Sequence, residues 1–270
     1  MKPATDGAMY FERYEMKYLI PLEKVEPIRR YIRAFCEEDP WSARSPDGYY
    51  HVNTLYLDTP RFRFLETRRI GANNKFNMRI RGYGDPAGPP WFMEVKNKNA
   101  GFVQKYRAMA PTCDVQDWLD QSGGTDRNGR LFQRLALTHR VEPKILTHYR
   151  RNAWVSRLDD YARVTFDRDL SYTRREHYNL VAAPRERENY DNAGIFPEGC
   201  SVVLELKSSV QVPVWMLDLI RNFELMRTAF SKYTHGYGEV GADLMTPAPL
   251  RQAVFSGVGP GQEPSQSWPV

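Results

Sequence analysis

Basic residues recur at alternate positions in several short segments of this sequence, a spacing that suits anion binding. Segments 75–81 and 92–98, K-F-N-M-R-I-R and F-M-E-V-K-N-K, alternate charged with apolar residues, and 149–153, 163–167 and 203–207 repeat the pattern. Successive strand side chains point to opposite faces, so each segment predicts a strand with one charged and one apolar face. Arginine can bind phosphate oxygens through two parallel hydrogen bonds and lysine adds a point charge, which favours a phosphate-bearing ligand.

The charged positions divide by their expected chemistry. Basic side chains can bind phosphate oxygens, and carboxylates can hold a divalent metal beside them. The basic residues of the predicted charged faces include Arg79, Arg81, Lys96, Arg151 and Arg163. The acidic residues expected to hold a divalent metal through oxygen ligands are Glu15, Glu94, Asp167 and Glu205. Glu15 and Glu94 have a second interpretation, in which they only orient neighbouring lysine and arginine side chains.

The net charge of the chain is concentrated in one region. The 270 residues carry a net charge of +5, whereas the window from Arg61 to Arg107 has eleven basic and three acidic residues, a net charge of +8. This excess favours an anionic partner. Within the window, Arg68 and Arg69 are expected at a helix C-terminus, where cations stabilise the helix dipole, so we predict a structural role for both.

Cysteine use and hydropathy exclude several classes of protein. The three cysteines, Cys36, Cys113 and Cys200, form no C-x-x-C pair, so a zinc or thioredoxin-like site is not expected. Such sparse cysteines are typical of a reducing compartment. No apolar run approaches the ~20 residues that cross a bilayer, and the N-terminus lacks a signal-peptide core. The sequence therefore predicts a soluble, cytoplasmic protein without a direct membrane span.

Strands and helices alternate along the chain. Hydrophobic periodicity predicts strands at residues 10–20, 51–58, 75–83, 91–98, 101–110, 144–156, 162–169 and 201–208. It predicts helices at residues 22–38, 60–69, 114–119, 131–137 and 213–230. No composition break divides residues 10–245, so we predict one domain, preceded by a flexible segment 1–9 and followed by a disordered Pro/Gly-rich tail 246–270.

These elements predict an α+β fold. We expect a closed antiparallel β-barrel, a tunnel with a charged interior, with helices packed on the outside. The simpler alternative is a sheet with one solvated polar face. Two like charges about 4 Å apart repel by about 4 kcal/mol at an effective dielectric near 20, so a basic interior needs an anion. A linear polyanion such as triphosphate or polyphosphate meets that need.

The order of the segments resembles a known family. The matching segments are R-Y-E-M-K-Y at 13–18, L-Y-L-D-T at 55–59, K-F-N-M-R-I-R at 75–81, F-M-E-V-K at 92–96, Y-R-R-N-A-W at 149–154, R-V-T-F-D at 163–167, L-E-L-K at 204–207 and S-K-Y at 231–233. Together they resemble the polyphosphate polymerase domain of the vacuolar transporter chaperone (VTC) family. That family belongs to the triphosphate tunnel metalloenzyme, or CYTH-like, superfamily.

The resemblance implies a function and a set of site residues. It implies transfer of the γ-phosphate of ATP to a growing polyphosphate chain, with Mn²⁺ or Mg²⁺ as cofactor. It assigns catalytic roles to Arg79, Arg81, Lys96, Arg151 and Arg163, and the metal to Glu205, with Glu94 and Glu15 as further candidate ligands. The substrate-binding candidates are Arg13, Lys17, Lys75, Lys98, Lys105, Lys207 and Lys232.

Two departures from the family pattern limit what the resemblance implies. Triphosphatase members usually begin with E-x-E-x-K, whereas this chain has R-x-E-x-K from Arg13 to Lys17, so one carboxylate is missing and a hydrolase is less favoured. Eukaryotic VTC proteins also carry an inositol-phosphate-sensing domain and membrane helices. Neither is expected in this chain, so coupled export of the product would require a separate membrane-protein partner.

Three other functions remain open from the sequence. The same site could hydrolyse tripolyphosphate or nucleoside triphosphates, or it could act as a non-catalytic polyphosphate or nucleotide sensor. The third possibility is nucleic-acid binding through the basic window. We expect no nucleic-acid partner, because Phe76 and Phe92 do not alternate with the basic residues in a way that forms a stacking platform.

Overall fold

The structure is a computed structural model, and parts of the predicted domain plan lie outside it. It describes residues 14–99, 102–110, 114–120, 126–159, 161–190, 195–209 and 211–241. The predicted flexible segment 1–9, the predicted tail 246–270 and Arg13 lie outside the described residues, so the expectations for them stay predictions.

Strands predominate in the described residues. The strands are β1 (Tyr14–Pro21), β2 (Cys36–Glu38), β3 (Tyr50–Asp58), β4 (Lys75–Tyr83), β5 (Gly88–Asn99), β6 (Phe102–Ala110), β7 (Glu142–Ser156), β8 (Ala162–Arg174), β9 (Glu188–Asn189) and β10 (Cys200–Ser208). The α-helices are α1 (Val25–Ile32), α2 (Pro40–Arg44), α3 (Arg63–Arg69), α4 (Val115–Asp120), α5 (Arg127–His139), α6 (Val214–Asn222) and α7 (Lys232–Gly241). No helix among the described residues has the length and apolar character that crossing a membrane requires.

The prediction of a closed barrel is wrong, because the sheet is open. Its main strands follow the order β1-β10-β8-β7-β3-β4-β5-β6, all antiparallel, with β2 paired to β7 and β9 paired to β8. A barrel needs backbone pairing between the first and last strands, and in the described part of the chain no ladder joins β1 to β6. Residue alternation determines which face a side chain occupies but does not determine whether the sheet closes.

Strong curvature nevertheless brings distant strands of the sheet together through their side chains. Lys96 Nζ on β5 lies 3.1 Å from Glu15 Oε2 on β1. Since β1 and β5 stand far apart in the strand order, this contact defines a concave face of the sheet. The charged residues of that face include Glu15, Lys17, Arg79, Arg81, Glu94, Lys96, Lys105, Arg107, Arg151, Arg163, Asp167, Glu205 and Lys207.

Apolar side chains of the convex face form two cores with the helices. Helices α1 and α6 pack on β1, β8 and β10 through residues that include Ile28, Ile32, Phe166, Leu204 and Leu219. Helices α4 and α5 pack on β3 to β6 through residues that include Leu55, Ile80, Met93, Trp118 and Phe132. Removal of this apolar area from water stabilises the curved sheet. The concave face carries the charged residues together with an aromatic cluster that includes Tyr56, Tyr149 and Tyr233.

Helix α7 departs from the expected arrangement, because it packs on the concave side of the sheet rather than on the outside. The Tyr233 ring is stacked on Tyr56 with centroids 5.0 Å apart, and Tyr233 Oη donates to Asp58 Oδ2 at 2.7 Å. A Cβ atom at Gly236 would lie 2.7 Å from Tyr190 Oη, so only glycine permits this close packing. Glycine also lowers helix propensity, which is why the sequence pattern did not predict this helix.

Two predicted helices end earlier than expected, for tertiary reasons. The prediction of a helix over 22–38 is wrong after Ile32, because residues 36–38 form β2 and pair with β7. The predicted helix over 213–230 ends at Asn222, after which Thr228 N donates to Lys17 O at 2.8 Å beside β1. In both places, pairing with a distant strand overrides local periodicity. The strand predicted at 75–83 is confirmed as β4.

Candidate active site

Glu94 on β5 is the centre of the densest group of charges on the concave face, and its side chain is 1% exposed. Its Oε2 lies 2.6 Å from Arg79 Nε and 3.9 Å from Arg81 Nη1. Its Oε1 lies 3.1 Å from Lys105 Nζ and 3.5 Å from Arg107 Nε. Four basic side chains therefore share one carboxylate, which leaves a net charge of +3 when all four are protonated. We call these five residues the Glu94 cluster.

Strand register brings the Glu94 cluster together. Arg79 on β4 pairs with Glu94 on β5, which in turn pairs with Arg107 on β6. Burial raises the pKa of Glu94, but the charges of Arg79 and Arg81 outweigh burial and hold that pKa far below its usual range. Glu94 is therefore ionised at neutral pH and offsets only part of the surrounding positive charge.

Lys105 is the member of the cluster whose charge depends on pH near neutrality. Its side chain is 46% exposed, but its Nζ lies against Glu94. Desolvation of the ammonium lowers the pKa of Lys105; Glu94 opposes this effect, and Arg79 and Arg81 add to it, giving a value of about 7. A bound polyanion would raise this pKa, so binding would take up a proton.

We therefore predict that the affinity for tripolyphosphate decreases as the pH rises through 7, since Lys105 then loses its proton in the free protein. The arginine in Lys105→Arg keeps its charge throughout this pH range, so the tripolyphosphate affinity of this variant should depend less on pH. The two proteins are compared by calorimetric titration with tripolyphosphate from pH 6 to 9. Protonation of tripolyphosphate itself affects both titrations equally and therefore does not change the comparison. Identical pH profiles would contradict this role of Lys105.

A second buried carboxylate, Asp167 on β8, binds two cations from different elements. Arg151 on β7 donates to both of its oxygens, at 2.7 and 2.8 Å, and Lys232 Nζ of α7 lies 2.7 Å from Oδ2. Burial raises the pKa of Asp167, but Arg151 and Lys232 together lower it to about 2. Lys232 Nζ also lies 4.4 Å from the centre of the Tyr149 ring. Helix α7 thereby adds a cation to the concave face.

Glu15 and Glu205 form the third acidic site, across β1 and β10. Glu15 pairs with Lys207 and Lys17 pairs with Glu205, so the two glutamates are diagonal neighbours on one face. Glu205 Oε2 lies 3.3 Å from Lys207 Nζ, and Glu15 accepts from Lys96 at 3.1 and 3.3 Å. Burial raises the pKa of Glu205, but Lys207 and Lys17 hold it well below its usual range.

The chemistry of these two glutamates fits a divalent cation that phosphate oxygens help to coordinate. Among the described residues, no group of three or more histidine, cysteine or acidic side chains is arranged to hold a metal. Mg²⁺ commonly binds through one or two carboxylates together with substrate phosphates and water, which is the ligand set that Glu15 and Glu205 could complete. The observed partners of Glu94 are cations, and its assignment as a metal ligand stays a prediction.

The remaining predicted site residues occupy different surroundings. Arg163 Nη2 lies 2.7 Å from Asp39 Oδ2, at one margin of the concave face. Lys75 and Lys98 are cross-strand partners at the ends of β4 and β5, and Lys98 is exposed. Lys17 Nζ donates to the carbonyl oxygen of Phe230 at 3.0 Å. The structure therefore groups most of the predicted residues around three acidic sites and places these others at the periphery of those sites.

Sequence reasoning missed two residues of the concave face, Arg68 and Tyr56. Arg68 was expected to stabilise a helix terminus, but its guanidinium donates to Asn77 Oδ1 on β4. Burial raises the pKa of Tyr56, but the nearby charges of Arg79 and Lys232 lower it by more. The phenol therefore lies among the cations of this face. The position of Arg68 at the end of the short helix α3, next to a basic strand, was the available signal.

A comparison with protein families identifies the family of this chain. The VTC domain family model matches residues 12–240. The chain therefore belongs to the VTC domain family, as the ordered segments predicted. This membership indicates an enzyme that acts on phosphate compounds. A comparison with curated proteins found no match.

Several solved structures are similar to this chain at low sequence identity. A Bacillus halodurans protein described as a candidate adenylate cyclase shares 10% identity, with a TM-score of 0.48 and coverage of 82% of this chain and 95% of that one. The Hippeastrum protein HpAC1, described as a candidate adenylyl cyclase with a dominant triphosphatase activity, shares 13% identity, with a TM-score of 0.45 and coverage of 85% and 96%. The PH1819 protein from Pyrococcus horikoshii OT3 shares 13% identity, with a TM-score of 0.45 and coverage of 86% and 99%.

Proposed function

We propose that this protein is a metal-dependent phosphoryl transferase that makes inorganic polyphosphate from ATP on the concave face of its sheet. The Glu94 cluster is the observation that carries the proposal, because four cations converge on one buried carboxylate and leave a net positive charge. A chain of phosphates can contact several such cations at once. Membership of the VTC domain family supports the same substrate class.

The side chains of this chain can perform most of the required work directly. Arg79 and Arg81 hold their guanidinium groups beside Glu94, which fixes their orientation before a ligand binds. Phosphoryl transfer requires little covalent help from the protein, so such pre-oriented charges can position the phosphates and neutralise charge that develops during transfer. Arg151 and Lys232, oriented by Asp167, would do the same for the acceptor chain.

A divalent cation completes this proposal at Glu205 and Glu15. When bound, Mn²⁺ or Mg²⁺ would supply Lewis-acid polarisation of phosphate oxygens. Lys96 and Lys207 already neutralise the two carboxylates in the structure, so both lysines would be free to contact phosphate once a cation shares the carboxylates. The proposal also includes a cytoplasmic location, where ATP is available, and a separate membrane protein for any export of the polymer.

Product analysis distinguishes this proposal from the related functions. Purified protein is incubated with ATP and Mn²⁺ or Mg²⁺, polyphosphate is resolved on a stained gel, and free phosphate is measured in parallel. We expect a ladder of long polymer, which should be strongly reduced in Arg81→Ala. Free phosphate without polymer would identify a hydrolase, and binding without either product would identify a sensor. Either result would overturn the polymerase proposal.

A further inference from the structure

An aromatic cavity of about 620 Å³ lies beside the Glu94 cluster, and the proposed phosphate chemistry does not use it. It lies between α2, the beginning of β3 and the turn that joins β4 to β5. Its wall includes Trp41, Tyr50, Tyr83, Phe92 and Arg150. Such a cavity, with an apolar wall and a few polar groups, is typical of a small-molecule binding site.

Arg107 joins the cavity directly to the basic site. Its Cζ lies 3.7 Å from the centre of the Phe92 ring, and its Nη2 donates to Tyr83 Oη at 3.3 Å. Its Nε is also 3.5 Å from Glu94 Oε1. One arginine therefore contacts both the aromatic wall of the cavity and the carboxylate at the centre of the Glu94 cluster.

The other side of the cavity is joined to the concave face through Asp39. Tyr50 Oη donates to Asp39 Oδ2 at 3.4 Å, and the same oxygen accepts from Arg163 Nη2 at 2.7 Å. The second oxygen, Asp39 Oδ1, accepts from Ser42 N at 2.9 Å and caps α2. Asp39 thus fixes the helix that carries Trp41 relative to a predicted site arginine.

Trp41 offers an exposed aromatic surface at this position. Its ring is stacked on Tyr83, with centroids 5.8 Å apart and planes 13° apart, yet the residue is 56% exposed. A second aromatic contact, with the Tyr50 ring at a centroid distance of 6.4 Å, also holds the indole. An ordered but exposed tryptophan can stack on a planar ligand at a small entropic cost.

The spacing along β5 matches a ligand with an aromatic group at one end and phosphates at the other. Phe92, Glu94 and Lys96 occupy alternate positions on one face, each about 7 Å from the next along the strand. On the neighbouring strand β4, Tyr83 is followed by Arg81 and Arg79 in the same direction. Along both strands, aromatic residues therefore give way to charged residues with increasing distance from the cavity.

We propose that this cavity binds the nucleobase of a nucleoside triphosphate whose phosphates lie on the Glu94 cluster. The inference rests on the proposed function, in which ATP is the donor, and adds a site for the base of that donor. ATP should bind more tightly than inorganic tripolyphosphate because its base stacks on Trp41. Arg107 lies between the cavity and the Glu94 cluster. There it can contact the phosphate nearest the ribose while its guanidinium remains on the Phe92 ring.

Paired binding measurements on Trp41 variants test the inference. Calorimetry measures the affinity of ATP and of tripolyphosphate for the full chain and for Trp41→Ala, Trp41→Phe and Met226→Ala. Loss of one stacking partner should weaken ATP binding by about tenfold or more in Trp41→Ala and leave tripolyphosphate binding within about twofold. Trp41→Phe should retain most of the ATP affinity. Met226 is 86% exposed and lies outside the cavity wall, so its variant is the matched control.

The possible results separate this inference from the proposed function. If neither ATP nor tripolyphosphate binds the unaltered protein, the proposed function fails and the inference fails with it. If both bind but Trp41→Ala leaves ATP affinity unchanged, only the nucleobase site is overturned. An equal loss for both ligands would also overturn it, since the cavity would then serve the phosphates. Melting curves of each variant verify that it folds, and Trp41→Phe gives the same test with a smaller change in packing.

Discussion

Replacing Glu205 by glutamine is expected to lower ATP turnover by roughly 100-fold or more, because the loss of its charge removes the proposed metal ligand and the transition-state stabilisation that would depend on it. Tripolyphosphate should still bind Glu205→Gln, and without metal it should bind more tightly, since a repelling carboxylate is gone and the basic residues remain. The affinity for Mn²⁺ in the presence of tripolyphosphate should decrease in parallel with turnover. Calorimetry and product formation measure these quantities.

Two further variants give this experiment its controls. Glu26→Gln removes an exposed acidic residue of α1 that pairs with Arg29 and Arg33, and it should behave as the unaltered protein. Arg81→Ala removes a phosphate contact and should weaken binding as well as turnover. Near-normal turnover and Mn²⁺ affinity in Glu205→Gln would show that Glu205 is not the metal ligand, and Glu15 would become the leading candidate.

Replacing Glu94 by glutamine should have the largest effect on stability. The substitution keeps the shape of the side chain but leaves Arg79, Arg81, Lys105 and Arg107 without their shared counter-ion. Loss of one partner from a buried ion pair costs about 3–5 kcal/mol, which corresponds to a decrease in Tm of about 6–20 °C for a domain of this size. Saturating tripolyphosphate should restore much of the lost Tm, because it supplies the missing negative charge to the folded state.

The matched control for this variant is Glu66→Gln, which removes a carboxylate that is 52% exposed and pairs with Arg69 on α3. Exposed ion pairs contribute little, so its Tm should change by no more than about 2 °C. Melting curves at low and high salt, with and without tripolyphosphate, compare the variants. A Glu94→Gln protein as stable as the control would show that the four cations do not repel one another appreciably.

Strand alternation made much of the candidate site predictable from the sequence. Arg79, Arg81, Glu94 and Lys96 were placed on one face because side chains of a strand alternate strictly. The same rule placed Glu205 on the charged face of its strand, and the pairing of β10 with β1 brings it opposite Lys17. Local patterns of this kind depend only on neighbours along the chain, which is why they could be found without a structure.

Features that depend on long-range contacts could not be predicted in the same way. Closure of the sheet was predicted and is wrong, since alternation carries no information on pairing between β1 and β6. Helix α7 was not predicted, because the space that Gly236 leaves for Tyr190 is visible only when both are packed together. Arg68 points from α3 to Asn77 on β4, which depends on how the helix is oriented on the sheet.

Calorimetric titration with tripolyphosphate tests most directly whether the concave face is a phosphate site. The unaltered protein should bind tripolyphosphate saturably, with an affinity that decreases as salt is raised, because exposed and half-exposed charges are screened. The double variant Arg79→Gln/Arg81→Gln should lose at least about 100-fold in affinity while it remains folded, since two charge-assisted phosphate contacts are removed. Binding by the double variant that equals that of the unaltered protein, or an absence of binding by both at low salt, would contradict the assignment of this face to phosphate.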